Sequence, residues 1–177
     1  VLIDLWCQQH SGHPFDADGA WGRSGRLLPE LLADCLADAF VQASPPKSTG
    51  RDHFHAEWLA ARLLRHPGAQ PADVQCTLTH FTASAAALAL KRHLPTSSGM
   101  LVCGGGALNA FLMDCLREQL STLTVRSVNT ACALDPMHIE AAAFAWLAKR
   151  FISQEPGNLP AVTGSSGPRI LGALYPA

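Results

Sequence analysis

The residues with the clearest chemical potential follow a short apolar segment that ends in three glycines. Residues 100–103 are apolar, Gly104, Gly105 and Gly106 come next, and a helical pattern begins after them. Glycine has no Cβ atom, so the backbone can approach a ligand closely, and free N–H groups at a helix start can bind an anion or a ribose. The order of strand, glycines and helix indicates a nucleotide-binding turn. A turn that only packs the helix on the strand would have the same sequence.

The spacing of these glycines argues against a dinucleotide-binding fold and hydride transfer. Ala107, Leu108 and Asn109 follow Gly106, so the pattern G-x-G-x-x-G is not formed. The acidic residue that such folds need about 20 positions later is also missing, because residues 127–128 are Ser and Val.

A second candidate is the loop of residues 45–52, which contains Lys47, Ser48, Thr49 and Arg51. It lacks the glycine spacing of a phosphate-binding P-loop. Lys47 and Arg51 could still contact a phosphate or a sugar carboxylate, since a guanidinium fork matches such groups well. A solvated turn explains the same residues equally well.

A third candidate lies at the start of the last long helical pattern. Asp135 can cap that helix, which explains the residue fully. Glu140 stands directly before the apolar residues 141–146, which we expect to be buried. A buried carboxylate needs partners, so we interpret Glu140 as a pocket residue.

Composition limits the function classes. The chain of 177 residues is 48% hydrophobic, carries a net charge of −1 and has no basic cluster, which disfavours nucleic acid as a partner. The apolar stretches are too short to cross a membrane. The pairs His10 with His13 and His53 with His55 have no paired cysteines nearby, so we predict no metal site and interpret these histidines as solvated loop residues. Six cysteines without a C-x-x-C pair suit reduced thiols, which favours the cytoplasm.

Hydrophobic periodicity places these candidates on a series of elements. The patterns predict helices over residues 1–10, 28–40, 54–65, 71–93, 107–120 and 137–151, strands over 100–103 and 123–128, and loops over 11–25, 44–52 and 157–167. We expect the first strand to be buried, the two strands to be parallel, and the alanine-rich helix of residues 71–93 to pack against the sheet. The expected fold class is therefore α/β.

Four segments of the chain occur in the order and spacing that one protein family shows. They are residues 45–52, 103–109, 140–148 and 157–164. In these segments, and from Val1 to Pro176, the chain resembles the anhydro-N-acetylmuramic acid kinase family, of the sugar kinase, actin and heat-shock chaperone superfamily. The resemblance implies two ribonuclease-H-like lobes that close on ATP, with residues 1–177 as a carboxyl-terminal lobe truncated at its amino terminus. It also implies that ATP, with Mg²⁺, phosphorylates 1,6-anhydro-N-acetylmuramic acid as water opens its ring, in peptidoglycan recycling.

The resemblance also assigns roles to residues. Gly104, Gly105, Gly106 and Asn109 match the adenosine-side loop of the family, Glu140 matches a carboxylate near the sugar pocket, and Lys47, Ser48, Thr49 and Arg51 match a loop expected on the substrate side. The general base is expected upstream of Val1, so we expect no catalytic residue in this chain and no activity from it alone. A homodimer is possible. The alternative is a non-catalytic binding or assembly module that retains the fold.

Overall fold

The fold is given by a computed structural model that describes residues 1–175. Over these residues the chain forms ten α-helices, two β-strands and three single 3₁₀ turns. The elements are α1 (Leu2–Ser11), α2 (Ala20–Ser24), α3 (Pro29–Leu36), α4 (Ala39–Gln42), α5 (Ala56–Leu63), α6 (Pro71–His93), β1 (Gly99–Val102), α7 (Ala110–Gln119), β2 (Thr124–Ser127), α8 (Val128–Cys132), α9 (Ile139–Ile152) and α10 (Pro160–Thr163), with 3₁₀ turns at Ala17–Gly19, Gly105–Leu108 and Pro136–His138.

The predicted β-α-β unit is confirmed. Strands β1 and β2 pair in parallel from Gly99 opposite Thr124 to Val102 opposite Ser127, and α7 connects them. The expectation that the first strand is buried is wrong, because Leu101 in its middle is 52% exposed. A parallel pair is usually covered on both faces, and here one face of β1 remains open.

Helix α6 is the central element of the fold. Its 23 residues begin with Pro71, whose fixed φ and missing N–H suit the first helical position. The helix packs against α1, α2, α3 and α7, so other helices, and not mainly the sheet, receive its alanine-rich face. Ala83 and Ala87 are fully buried there, because their small side chains let α7 approach closely. Across residues 1–175, no helix is both long enough and apolar enough to span a membrane.

Two apolar clusters lie on either side of α6. The first joins α6 to α1, α3 and α5 through Leu2, Ile3, Trp6, Leu31, Cys35, Trp58, Leu59, Val74, Leu78 and Phe81. The second joins it to α7 and β2 through Cys76, Ala83, Ala87, Phe111, Leu112, Met113, Cys115, Leu116, Leu120 and Val125. All six cysteines of the chain are free, and four of them are buried as small hydrophobic residues.

Helix α9 departs from expectation. Its apolar run was predicted to be buried, yet Phe144 is 65% exposed and Trp146 is 51% exposed. None of the residues of α9 is buried. The interpretation of Glu140 as a buried carboxylate is therefore wrong for this chain, because the neighbouring residues do not remove it from water.

The helix predicted over residues 28–40 is interrupted. Helix α3 ends at Leu36, and Asp38 begins the separate helix α4 by accepting a hydrogen bond from the Phe40 N–H at 2.9 Å. Apolar periodicity continues through the break, so the pattern alone could not reveal it. A carboxylate that caps a new helix start explains the interruption.

Asp38 is also the acceptor for three side-chain donors. Its Oδ1 lies 2.9 Å from His53 Nε2, and its Oδ2 accepts from Trp58 Nε1 and Arg62 Nη2, both at 2.9 Å. The Arg62 guanidinium lies 3.6 Å above the Trp58 ring. Four donors around one buried carboxylate hold α4 and the loop after it onto α5.

The same network sets the protonation of Asp38. Burial raises the pKa of this carboxyl, but hydrogen bonds from Trp58, His53 and Phe40 together outweigh burial and hold the pKa below its usual value. A carboxyl with a lowered folded-state pKa stabilises the fold above its unfolded-state pKa. That stabilisation is lost as the pH falls through the lowered folded-state value.

Replacing Asp38 by Asn should lower the free energy of unfolding at pH 7 by about 2–4 kcal/mol, because buried donors lose their charged acceptor. The deficit relative to the wild type should begin to shrink below about pH 4, the ordinary pKa of an Asp carboxyl, and should be smallest once the pH has fallen through the lowered folded-state pKa of Asp38. Urea unfolding at a series of pH values measures both effects. Asp34→Asn, on the preceding helix α3, is the control, since the Arg65 partner of Asp34 is exposed and a smaller loss is expected. A deficit of Asp38→Asn that stays constant with pH would contradict the assignment.

Candidate functional site

The glycine turn after β1 is open to solvent on one side. Gly104 has a φ of +71°, a left-handed conformation that favours glycine, and its N–H donates to the Pro136 carbonyl at 2.8 Å. A Cβ atom added at Gly104 or Gly105 would meet no atom within 4 Å. Among residues 1–175 no side chain packs against these two positions. The two glycines therefore leave backbone accessible and are not needed to make room for a neighbouring side chain.

Asn109 closes the turn by capping α7. Its Oδ1 accepts a hydrogen bond from the Leu112 N–H at 2.8 Å, so α7 begins at Ala110 and not at Ala107 as the sequence predicted. Residues 105–108 form a 3₁₀ turn instead, because the capping side chain starts the α-helix only after it. The Nδ2 amide group of Asn109 makes no hydrogen bond to any residue from 1 to 175, and both its protons are free to donate.

A cleft of about 630 Å³ lies beside the turn. One wall contains the glycine turn, Asn109 and Leu112, and the other contains the start of α1 and the segment before α2. The lining residues are Val1, Ile3, Asp4, Pro14, Phe15, Asp16, Asp18, Thr82, Gly105, Gly106, Leu108, Asn109, Leu112 and Met137. Mostly apolar walls with a few polar groups are typical of a small-molecule site of this size.

The charges in the cleft limit which part of a nucleotide it could hold. Asp4, Asp16 and Asp18 all contribute to the wall opposite the glycine turn, and the lining includes neither Lys nor Arg. A phosphate beside three carboxylates would be repelled, whereas hydroxyl groups of a sugar could donate hydrogen bonds to the exposed carboxylates of Asp4 and Asp18. The charges of the cleft therefore suit the nucleoside portion of a nucleotide and disfavour its phosphates.

The loop of residues 45–52 is separate from this cleft. The Nζ of Lys47 donates to the carbonyls of Phe40 at 2.7 Å and Val41 at 3.1 Å, so this ammonium closes the end of α4. Ser48, Thr49 and Arg51 are exposed. Lys47 lines a neighbouring apolar cavity of about 300 Å³, which shares Val1 and Thr82 with the cleft.

Glu140 lies in the first turn of α9 and is exposed. Within residues 1–175 its carboxylate has no hydrogen bond and no ion pair. Asp135 does act as a cap, but of the 3₁₀ turn that leads into α9, where its Oδ1 accepts from the Met137 N–H at 2.8 Å.

The paired histidines have structural contacts. His53 bonds to Asp38, and His55 caps α5 by accepting from the Trp58 N–H at 3.4 Å, so both are fixed and not merely solvated. His10 lies against Trp6, with ring centroids 3.8 Å apart and the two rings tilted by 42°. The part of the chain that the structure describes contains no group of three or more His, Cys, Asp or Glu residues able to hold a metal ion.

Sequence reasoning missed the segment that forms the opposite wall of the cleft. Residues 11–25 were expected to be a loop, but Asp16 is buried and its carboxylate accepts from the backbone N–H groups of Trp21 and Gly22, which starts α2. The signal was an Asp shortly before a short helix-compatible stretch. This signal is weak because the five residues of α2 are too few to show a helical period of apolar residues.

Comparison with known proteins identifies relatives of the whole chain. The family model described as "Anhydro-N-acetylmuramic acid kinase" matches residues 1–177. Relatives with that name come from Variovorax paradoxus at 52% identity, Albidiferax ferrireducens at 51% and Xanthomonas campestris pv. campestris at 49%, each over 177 residues.

These matches cover 100% of this chain but 47%, 45% and 46% of the three relatives. The chain thus spans about half the length of the curated relatives that it matches. The resemblance seen in the four sequence segments is confirmed by a match along the full chain, and the chain belongs to the anhydro-N-acetylmuramic acid kinase family.

Proposed function

We propose that the chain contributes to an ATP-dependent kinase that converts 1,6-anhydro-N-acetylmuramic acid and water to N-acetylmuramic acid 6-phosphate in peptidoglycan recycling. Its own part in that reaction is to bind the nucleoside portion of ATP at the glycine turn. The observation that carries this proposal is the open space at Gly104 and Gly105 beside a cleft of nucleotide size. The membership of the chain in a kinase family supplies the reaction.

As its place in the enzyme, we propose that residues 1–177 form the carboxyl-terminal lobe of a two-lobed, ribonuclease-H-like kinase. The parallel β1-α7-β2 unit and the length ratio to the relatives support this assignment. Pro176 and Ala177 lie outside the described residues. The free cysteines agree with a cytoplasmic location, which we propose as well.

The residues divide the work of nucleotide binding between backbone and side chain. Backbone N–H groups of Gly105 and Gly106 and the Nδ2 group of Asn109 are donors on one wall, and the apolar Leu108 and Met137 lie at the rim, both 56% exposed. These groups can bind and orient the nucleoside portion of ATP so that the phosphates lie away from the carboxylates of the opposite wall. Bound ATP would supply the γ-phosphoryl group, and binding of this kind contributes by positioning it.

We propose that this chain does not by itself complete a catalytic centre. Because residues 1–175 hold no cluster of three metal ligands, we assign no step through Mg²⁺ to this chain. We propose that the general base and the groups around the phosphates belong to other parts of a longer polypeptide. The chain alone should then bind nucleotide without turning over sugar.

A second candidate, an assembly module, is favoured by one observation. Helix α9 presents uncovered apolar side chains on more than one side, with Phe144, Trp146 and Ile152 exposed by 65%, 51% and 77%. Exposed apolar surface of this extent marks an interaction site. We propose that the remaining half of a longer polypeptide of this family covers the exposed apolar side chains of α9, since about half of each relative lies outside the match. This role is compatible with nucleotide binding.

Asn109→Asp tests the nucleoside assignment. The substitution keeps an oxygen that can cap α7 but removes the Nδ2 donors and adds a fourth carboxylate to the cleft. We expect the affinity for ADP to fall by about tenfold or more, measured by isothermal titration calorimetry, with the thermal midpoint unchanged or raised. Asn129→Asp, at an exposed residue of α8, is the matched control and should bind ADP as the wild type does. Absence of ADP and ATP binding by the wild type, even within a polypeptide of the relatives' full length, would contradict the proposed function.

Glu140→Gln tests the sugar side in a polypeptide extended to the relatives' full length. Because Glu140 is exposed and has no hydrogen bond or ion pair to any residue from 1 to 175, we expect its carboxylate to contact the sugar. The kcat/KM for the anhydro sugar should drop by about tenfold or more, while the KM for ATP changes by less than about twofold. Glu118→Gln, at an exposed position on α7, is the control. An equal loss for both substrates, or for neither, would exclude this role.

Phe144→Arg tests the assembly face. The chain is co-expressed with the complementary half of a longer family polypeptide, and complex formation is measured by analytical ultracentrifugation. We expect the substitution to weaken the complex by about tenfold or more, because a charge would be buried in an apolar interface. Leu64→Arg, at a residue that is 84% exposed at the end of α5, should have no effect. Self-association of the wild-type chain, lost in Phe144→Arg, would instead identify a homodimer face.

A further inference from the structure

The turn of residues 16–22, here called the acidic turn, lies directly against Asn109. Gly19 has a φ of +68°, and a Cβ atom placed on it would lie 2.3 Å from Asn109 Oδ1 and 2.6 Å from Phe111 Cβ. Such distances are far below van der Waals contact. Gly19 is therefore required for two independent reasons, its left-handed backbone and the close approach of the Asn109 amide.

The acidic turn is rigidly held from below. The Asp16 carboxylate is buried, its Oδ1 accepts from the Trp21 N–H at 2.9 Å, and its Oδ2 accepts from the Gly22 N–H at 2.8 Å. The same Oδ2 lies 3.3 Å from Nε2 of Gln75, a fully buried residue on the central helix α6. Backbone N–H groups bonded to a carboxylate form strong, charge-assisted hydrogen bonds. These hydrogen bonds therefore fix the position of Gly19 relative to α6.

Asn109 is consequently held from two sides. Leu112 N–H bonds to its Oδ1 from α7, and Gly19 blocks movement of the same oxygen toward the acidic turn. An amide whose oxygen is fixed in this way also has a fixed Nδ2, since both atoms lie in one plane. Fixed donors bind a ligand without the loss of side-chain freedom that a mobile amide would incur.

We infer that the acidic turn is a positioning element for nucleotide binding, in which Asp16 and Gly19 set the orientation of the Asn109 amide. This inference rests on the proposed function of the glycine turn. Neither Asp16 nor Gly19 needs to touch the nucleotide for this role. Both are positioning residues that act through Asn109.

Gly19→Ala is the primary test, with ADP affinity measured by isothermal titration calorimetry on the full chain. We expect the affinity to fall by about tenfold or more, because the added methyl group displaces the Asn109 amide. Gly68→Ala is the matched control, since Gly68 also has a left-handed φ of +85° but a Cβ there would meet no atom within 4 Å. The control should lose stability from its backbone strain and retain ADP affinity within about twofold.

A double-mutant cycle separates positioning from a general loss of structure. In an Asn109→Ala background the contact of the added methyl group with Asn109 Oδ1 is gone and only its contact with Phe111 Cβ remains, so the further loss of ADP affinity from Gly19→Ala should shrink to about threefold or less. Full additivity of the two substitutions would overturn the inference. If Gly19→Ala does not fold, Asp16→Asn loosens the acidic turn without adding an atom, and it should weaken ADP binding by about threefold or more.

The outcomes distinguish the two levels of the proposal. Wild-type protein that binds no ADP overturns the proposed function and this inference with it. Wild-type protein that binds ADP, together with Gly19→Ala and Asp16→Asn variants that bind like the Gly68→Ala control, overturns the positioning role alone.

Discussion

Buried polar groups on α6 must find hydrogen-bond partners, and this requirement organises the fold around them. Gln75, Thr77 and Thr79 are fully buried on this helix, among apolar residues such as Val74 and Leu78. Thr77 accepts from the Leu28 N–H at 3.0 Å, and Gln75 reaches Asp16. Each bond ties a loop segment to the central helix, so loops that would otherwise be mobile have defined positions.

The same requirement connects the core to the candidate site. Asp16 can be buried only because two backbone N–H groups and Gln75 satisfy it, and its position in turn places Gly19 beside Asn109. The backbone approaches α6 closely in this region, since a Cβ on Gly25 would lie 2.0 Å from the Ala72 carbonyl oxygen. The cleft beside α7, which we propose as the nucleoside site, therefore depends on packing that begins on α6. Rigid support of this kind is what a binding site needs to hold its donors in place.

Some apolar surfaces of the chain are covered by packing, and others are exposed to solvent. The two apolar clusters beside α6 are closed, whereas β1 and α9 present apolar side chains to solvent. A parallel strand pair and a helix with exposed aromatic residues are the parts that gain most from additional polypeptide. Relatives about twice the length of this chain contain such additional sequence.

Local sequence determined the parts of the structure that depend on near neighbours. The period of residues 71–93, the Pro at its start, the β-α-β order and the glycines after β1 were all readable, because each is decided within a few residues. The family was readable too, since four short segments kept their order. Only the tertiary structure decided the rest: that Asp38 is buried among donors from Trp58 and Arg62, that the run around Phe144 is exposed, and that Gly19 lies against Asn109. These outcomes depend on contacts between residues far apart in the chain, and apolar periodicity carries no information about which distant donor will reach a carboxylate.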